Sequence, residues 1–401
     1  MMILRQYYAY LKAVVGIIHG SRAFGGPLQA NINITNRCNL RCVHCYYYSP
    51  HVKLPNFLKV RQCRQVDTNP DPEELAARLR LQVDTRCLMT AIDSLLASGT
   101  RRFQLSGYGE LFMHPDILPL LEHVKQGKAY ALTNTNGILI KRDVADALIA
   151  MGFDDLRVSV MAGSADVYAR THFGASPALF EQLKENLKYL AERKAALGVS
   201  RPLIRLAVVI IKENAGDLFN VARLAVEVKA SQVIYRGFDD VGDAALTPLS
   251  PAPEQEMLVR QQLQEAQGFL DSHHIRHNMP NMLGVFQQQF DTAALYRVIP
   301  CYYGWLTIGV DVQGNVYPCT RCNETMGNLF TEGLEATWYG ERYRRFRAQA
   351  ITLPRRGTAI TGCDCTHCGY HNANLRVYRF LHPWAQQRLK TLKLISNEES
   401  E

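Results

Sequence analysis

From about residue 30 onward, six short β-rich runs alternate with longer apolar-periodic stretches, and this alternation constrains the fold more than any other feature of the chain. The strand candidates are ANINITN, RRFQLSG, AYALTNT, LRVSVMA, IRLAVVIIK and SQVIYRGF. Helical periodicity fills the intervals near 75–97, 116–126, 141–151, 178–197 and 216–229. Such alternation builds a parallel sheet, and right-handed crossovers curl it. The expected fold is α/β: a partial (β/α)6 TIM-like barrel with a small C-terminal cysteine-rich α+β domain. In such barrels the chemistry sits in loops after the carboxyl ends of the strands. Here the unusual glycine and polar motifs follow successive strands.

The 401 residues divide on this reading into an N-terminal amphipathic helix (1–29), the barrel (30–250), a helical linker (251–300), the cysteine-rich domain (301–380) and a C-terminal helix and tail (381–401). Ile3, Leu4, Tyr7, Tyr8, Leu11, Val14, Val15 and Ile18 recur at helical spacing, with Arg5 and Lys12 on the other side. That face is expected to pack on the barrel, and it offers the one route to membrane contact. The chain has no run of about eighteen uncharged apolar residues and no secretory signal pattern, which predicts a cytoplasmic protein. The formal charge of +8 suits an anionic substrate or an acidic electron donor. Nucleic-acid binding is not expected.

Eleven cysteines in a reducing compartment point to metal or chemistry in place of disulfides. Cys38, Cys42 and Cys45 follow the first strand with C-x3-C-x2-C spacing. Three thiolates on one loop hold three corners of a cubane and leave the fourth iron open to a small-molecule chelator. A zinc site completed by His44 is the competing reading, although His44 is wedged between two of the cysteines. With the strand before it and Tyr46 to Tyr48 after it, the motif closely resembles that of the radical S-adenosylmethionine (SAM) superfamily. The resemblance spans roughly residues 30 to 240. It implies a 4Fe-4S cluster whose open iron binds SAM, with Tyr46 beside it. It also implies that Gly107, Gly109 and Glu110 meet the cofactor's amino group, with Leu111 where a proline often stands. Thr133, Asn134 and Asn136 would lie near ribose or substrate, though Asn-Gly is also an ordinary turn. Ser159 either faces the cofactor or is an inward barrel serine. Tyr168 and Arg170 either reach cofactor or substrate, or begin a surface helix.

A second group comprises Cys301, Gly314, Cys319, Cys365 and Cys368. Its order resembles the twitch domain, the short relative of the SPASM extension, and implies one auxiliary 4Fe-4S cluster held by the four cysteines. A zinc ribbon built from Cys319, Cys322, Cys365 and Cys368 competes with it. Cys322 and Cys363 are then spare, and with Cys63 and Cys87 they are the candidate hydrogen donors. The insertion at 46–73, with Lys53, Lys59, Arg61 and Arg64, reads as a lid. Arg342, Arg344, Arg345 and Arg347 read as a solvated helix face.

The resemblance implies that a 5'-deoxyadenosyl radical abstracts a substrate hydrogen, with electrons from a flavodoxin- or ferredoxin-type donor. The leading expectation is oxidation or epimerisation of a small molecule such as a carbohydrate, since twitch relatives include an aminocyclitol dehydrogenase. A peptide-modifying enzyme is the alternative; only some thirty residues precede the first strand, where many of those carry a leader-binding domain. A non-enzymatic zinc or cluster-binding module is the third.

Overall fold

A computed structural model describes residues 2–52, 72–240, 244–280, 282, 292–356, 360–365 and 368–385. All six strand candidates are present: β1 (Gln29–Asn33), β2 (Arg102–Ser106), β3 (Tyr130–Thr135), β4 (Asp155–Ser159), β5 (Leu203–Ile210) and β6 (Gln232–Gly237). They run parallel, in chain order. The sheet is wider than the six-strand reading. β7 (Arg276–His277) adds to β6, and a hairpin of β8 (Thr307–Val310) and β9 (Val316–Tyr317) adds to the other edge, with β8 parallel to β1.

Along β5 burial alternates strictly: Ile204, Leu206, Val208 and Ile210 are buried, and the residues between them are half-buried. The buried face meets the helices, as the period-2 strand and the 3.6-residue helix turn require. Leu88, Ile92 and Leu95, spaced for one helix face, join Ile32, Phe103, Leu105, Leu156 and Val158 in one core. Each such side chain contributes about 1.5–3 kcal/mol.

The stretch near 75–97 is two helices, Pro72–Leu79 and Thr85–Ser98. Between them Val83 donates its N–H to Ile34 O, Asn36 donates to Leu81 O, and Asp84 caps the second helix by accepting from Cys87 N at 2.9 Å. The break thus fastens the loop that leaves β1.

The N-terminal helix (Met2–His19) forms as expected, but not with the expected face inward. Tyr7, Tyr8, Leu11, Val15 and Ile18 are exposed, whereas Ala13, Gly16 and Ile17 are buried. The reason is Trp305. A Cβ at Gly16 would lie 2.7 Å from its ring, so the helix presents small residues to the indole. Trp305 Nε1 donates to Arg22 O at 2.8 Å, and Trp338 Nε1 donates to Gly25 O at 2.8 Å.

The arginine run is also corrected in part. Tyr343, Phe346, Arg347 and Ala350 form the buried stripe of helix Glu341–Ile351. Arg347 is fully buried between the rings of Trp338 and Tyr343, 4.5 and 4.4 Å away, and donates Nε–H to Gly304 O at 2.8 Å. Burial pushes its guanidinium down to about 10, and the two π faces offset part of that cost. Most of the insertion, with Cys63, Lys53, Lys59, Arg61 and Arg64, lies outside the described residues, as does the tail beyond residue 385. Among the described residues no helix is long and apolar enough to cross a membrane.

Trp305→Ala empties an enclosed site shared by three segments, and is expected to lower unfolding free energy by about 3–5 kcal/mol. Urea unfolding followed by tryptophan fluorescence and circular dichroism measures it; a loss under about 1 kcal/mol contradicts this packing account.

Candidate active site and auxiliary metal centre

The loop after β1 carries the first three cysteines, and its backbone is clamped by the segment after β2. Gly109 donates N–H to Thr35 O at 3.2 Å and Glu110 donates to Arg37 O at 2.8 Å. A Cβ at Gly107 would collide with Thr35 O, and one at Gly109 with Arg37 O. Both glycines are therefore required by the approach of the cysteine loop itself, a cause distinct from the cofactor contact the resemblance implies. Cys38, Cys42 and Cys45 are close enough that Cys42 feels the charge of both Cys45 and Cys38, and Cys38 that of Glu110 and Cys45. Burial is the main influence and pushes the Cys38 thiol up to about 12. Cys45 Sγ accepts N–H bonds from Tyr47 and Tyr48 at 3.4 Å. Such donors favour a thiolate, the form that binds iron.

Glu110 is buried, and burial raises its pKa. Its Oε1 accepts from Thr135 Oγ1 at 2.7 Å and Phe112 N at 3.2 Å, and Oε2 accepts from Asn136 N at 2.7 Å. Asn136 Nδ2 in turn donates to Asn39 Oδ1 at 2.8 Å, between two of the cysteines. Glu110 and Asn136 thus join the loops after β1, β2 and β3. Asn134 is exposed on the inner face of β3, but Thr133 is buried on the helix side and Thr135 supplies the hydroxyl at the junction. Thr135 and Asn39 were missed, although both sit inside the motifs singled out.

Ser159 lies on the inner face at the end of β4. Arg170 is exposed on helix Ala165–Thr171 and makes no bond to the motif loops. Tyr168, on the same helix, is fully buried and stacked on His172 at 3.9 Å, with its hydroxyl unpartnered and the charges of Cys42, Glu110 and Cys38 within reach. Tyr46 packs beside Val43 and donates its hydroxyl to Asp239 O at 2.6 Å.

The four distant cysteines converge. Cys301, Cys319, Cys365 and Cys368 line one cavity. Cys301 is anchored by its N–H to Ala350 O at 3.0 Å. Cys319 follows the β8–β9 hairpin, whose turn needs Gly314 at φ +86, where a Cβ would also strike the Phe330 ring. A polar chain ends on the cavity wall. Tyr302 N–H donates to Asn374 Oδ1 at 2.7 Å, which orients the amide so that Nδ2 donates to Tyr296 Oη at 2.8 Å. The Tyr296 hydroxyl is left to donate to Cys368 Sγ at 2.9 Å. Neither Tyr296 nor Asn374 carries a sequence signal of its own.

Cys322 and Cys363 are joined as a disulfide, correcting both the expectation of free thiols throughout and their place among the candidate hydrogen donors. An antiparallel bridge between the two residues brings their Cα atoms within 4.0 Å. The pairing also removes Cys322 from the zinc-ribbon set, and Cys301 takes the fourth place. Cys87 is exposed in the first turn of its helix and lines neither cysteine-bearing cavity. His44 is half-buried with its Nδ1 enclosed, pushed down to about 3 by desolvation, and the charge it feels is that of His172, not of the thiols. Among the described residues no three His, Cys, Asp or Glu side chains close on a single-ion point. A cubane spreads its sulfurs more widely than one zinc does, and all-sulfur donor sets of three and of four suit an open and a closed cluster.

Two outcomes follow. Cys42→Ala is expected to lower iron from about eight to about four per chain, leaving the closed cluster in place; iron and sulfide analysis reads it, and loss of all iron contradicts two independent sites. Tyr296→Phe removes a hydrogen bond to a ligand sulfur and is expected to keep the iron while moving the auxiliary potential to a more negative value, measured by an electron-paramagnetic-resonance redox titration.

Comparison with known proteins agrees with this geometry. The Radical SAM superfamily model matches residues 32–225, and the SPASM iron-sulfur cluster-binding domain matches residues 301–369. The chain is 23 % identical over 357 residues to the subtilosin biosynthesis protein AlbA of Bacillus subtilis (strain 168), covering 88 % of this chain and 68 % of that protein. It is 24 % identical over 359 residues to the PqqA peptide cyclase of Xanthomonas euvesicatoria pv. vesicatoria, covering 84 % and 83 %. Streptococcus suis SuiB bound to its precursor peptide SuiA shares the fold at TM-score 0.58 and 15 % identity, over 90 % of this chain and 75 % of that one. An open three-cysteine loop on a parallel partial barrel and a closed four-cysteine cavity fit both matched models, and the chain is a radical SAM superfamily enzyme with a C-terminal SPASM-type iron-sulfur domain.

Proposed function

We propose that this enzyme modifies a peptide. Cys38, Cys42 and Cys45 would hold the open cluster, which when bound would supply the electron for reductive cleavage of SAM and so the means of abstracting a substrate hydrogen. The chain's own residues hold the loop, through Gly107, Gly109 and Glu110. The observation that carries the peptide reading is the company the chain keeps: relatives named for a bacteriocin and a peptide cyclase align with most of its length. The carbohydrate dehydrogenase or epimerase expectation gives way to them, and the module without catalysis gives way to the superfamily match.

A second cavity is lined by Asn31 and Asn33 of β1, Tyr108 between the two glycines, and Cys319 and Cys322 of the auxiliary side. It therefore lies between the two cysteine sites. A flavodoxin- or ferredoxin-type protein is the proposed electron source, because a low-potential electron is needed at the open cluster.

The test is anaerobic reconstitution followed by turnover with short peptides encoded beside the gene, deuterated in their side chains, and with deuterated sugars in parallel. Deuterium in 5'-deoxyadenosine from a peptide is the expected result. Transfer from a sugar, with none from any peptide, overturns the proposal.

A further inference from the structure

The inner face of the barrel carries more positive charge than it neutralises. On β4 and β5 the core-facing residues are Leu156, Val158, Leu206 and Val208, so Asp155, Arg157, Ser159, Arg205 and Ala207 point to the other side, away from the helices. Arg157 is the register partner of Arg205, Arg205 of Gln232, and Val209 of Arg236 on β6. Like charges directly opposite one another on adjacent strands are destabilising. Fixed pairs account for part of the set. Asp155, fully buried, pairs with Arg205 Nε at 3.0 Å and accepts from Tyr130 Oη at 3.1 Å. Arg205 also donates to Gln232 Oε1 at 3.0 Å, and Arg102 lies over the Tyr130 ring at 4.5 Å.

Arg157 is not accounted for. Its Nε is buried with no hydrogen-bond partner. Burial lowers its pKa, Asp155 opposes that shift, and Arg205, Arg236 and Arg102 add to it. A half-buried cation whose nearest carboxylate among the described residues is already held by another arginine costs stability. An anion arriving from outside would offset that cost. Arg157 stands two residues before Ser159 on the same face of β4, roughly 7 Å below the rim where the cysteine loop sits. Arg236, at the end of β6, is exposed and marks the way in. The family resemblance implies that the carboxylate of SAM would chelate the open iron, which leaves the substrate as the source of the anion.

We propose that Arg157 and Arg236, beside the Arg205–Asp155 pair, form a carboxylate-binding site inside the barrel, and that its occupant is an acidic side chain or the C-terminus of the peptide substrate. The inference rests on the peptide reading above and narrows it to a substrate class.

The test uses the full chain, reconstituted anaerobically and supplied with SAM. Fluorescein-labelled peptides of equal length carry several Glu or the same number of Gln, each with a free or an amidated C-terminus, and binding is read by fluorescence anisotropy at low and high salt. The Glu or the free C-terminal peptide is expected to bind about tenfold or more tightly than its neutral counterpart. The preference shrinks with salt and is lost in Arg157→Gln and Arg236→Gln. Which comparison shows the preference identifies which carboxylate is held. Arg236→Gln changes an exposed side chain, so it tests the site even where Arg157→Gln fails to fold, as thermal melting would reveal. Equal binding of all four peptides, or a preference that survives Arg236→Gln together with a folded Arg157→Gln, overturns the carboxylate site and leaves the peptide reading standing. Failure of every peptide to bind, with SAM still bound, overturns both.

Discussion

β1 is hydrogen-bonded on both edges, to β2 on one side and to β8 on the other, and the rest of the arrangement depends on this double pairing. The strand that delivers the radical loop is thereby the neighbour of the hairpin that delivers Cys319. Backbone ladders are stiff and their register is set by which faces are buried. The separation between the two cysteine sites is consequently fixed by main-chain bonds, and the cavity between them inherits that fixed width. An auxiliary domain tethered by a linker would leave this distance free. Here β8 is part of the barrel's own sheet.

A second constraint acts within the first loop. Three separate turns must meet so that three sulfurs share one side of a strand end. The meeting is achieved by close packing of backbone on backbone at Gly107 and Gly109, and by one buried carboxylate that accepts from two turns at once. Leu111, at the position where a proline often stands, is fully buried at the start of the turn Leu111–Met113. An apolar anchor thus holds the start of that turn. A carboxylate engaged in this way costs less to keep buried than a free one, because its lone pairs are occupied by donors.

Much of this was legible from residue order. Period-2 runs and 3.6-residue periods report local geometry directly, so six strands and the helices between them were found. The cysteine sets were legible because ligand spacing on a short loop is itself local. What escaped is what tertiary contact decides. The N-terminal helix has apolar residues on more than one side, and only the presence of Trp305 selects Ala13, Gly16 and Ile17 as the inner face. Arg347 looks like its exposed neighbours until Trp338 and Tyr343 are placed on either side of it. Thr133 and Thr135 are alike in sequence, and only the position of Glu110 separates their roles. Cys322 and Cys363 are far apart in the chain, so their pairing had no local signature at all.

Two buried arginines show why burial alone does not mark a ligand site. Arg347 donates its Nε–H to a carbonyl and has an aromatic face on each side, although its Nη1 and Nη2 are buried without hydrogen-bond partners among the described residues. Its environment is closed, and a cation–π pair of this kind is a packing device. Arg157 has the same charge and is half-buried, and the charges of the described residues around it are three further arginines and one carboxylate already shared with Arg205 and Tyr130. Replacing Arg347 by an apolar side chain of equal volume would remove a cost and a compensation together. Replacing Arg157 in that way would remove mostly cost from the free protein, and an anion bound beside it would offset the same cost.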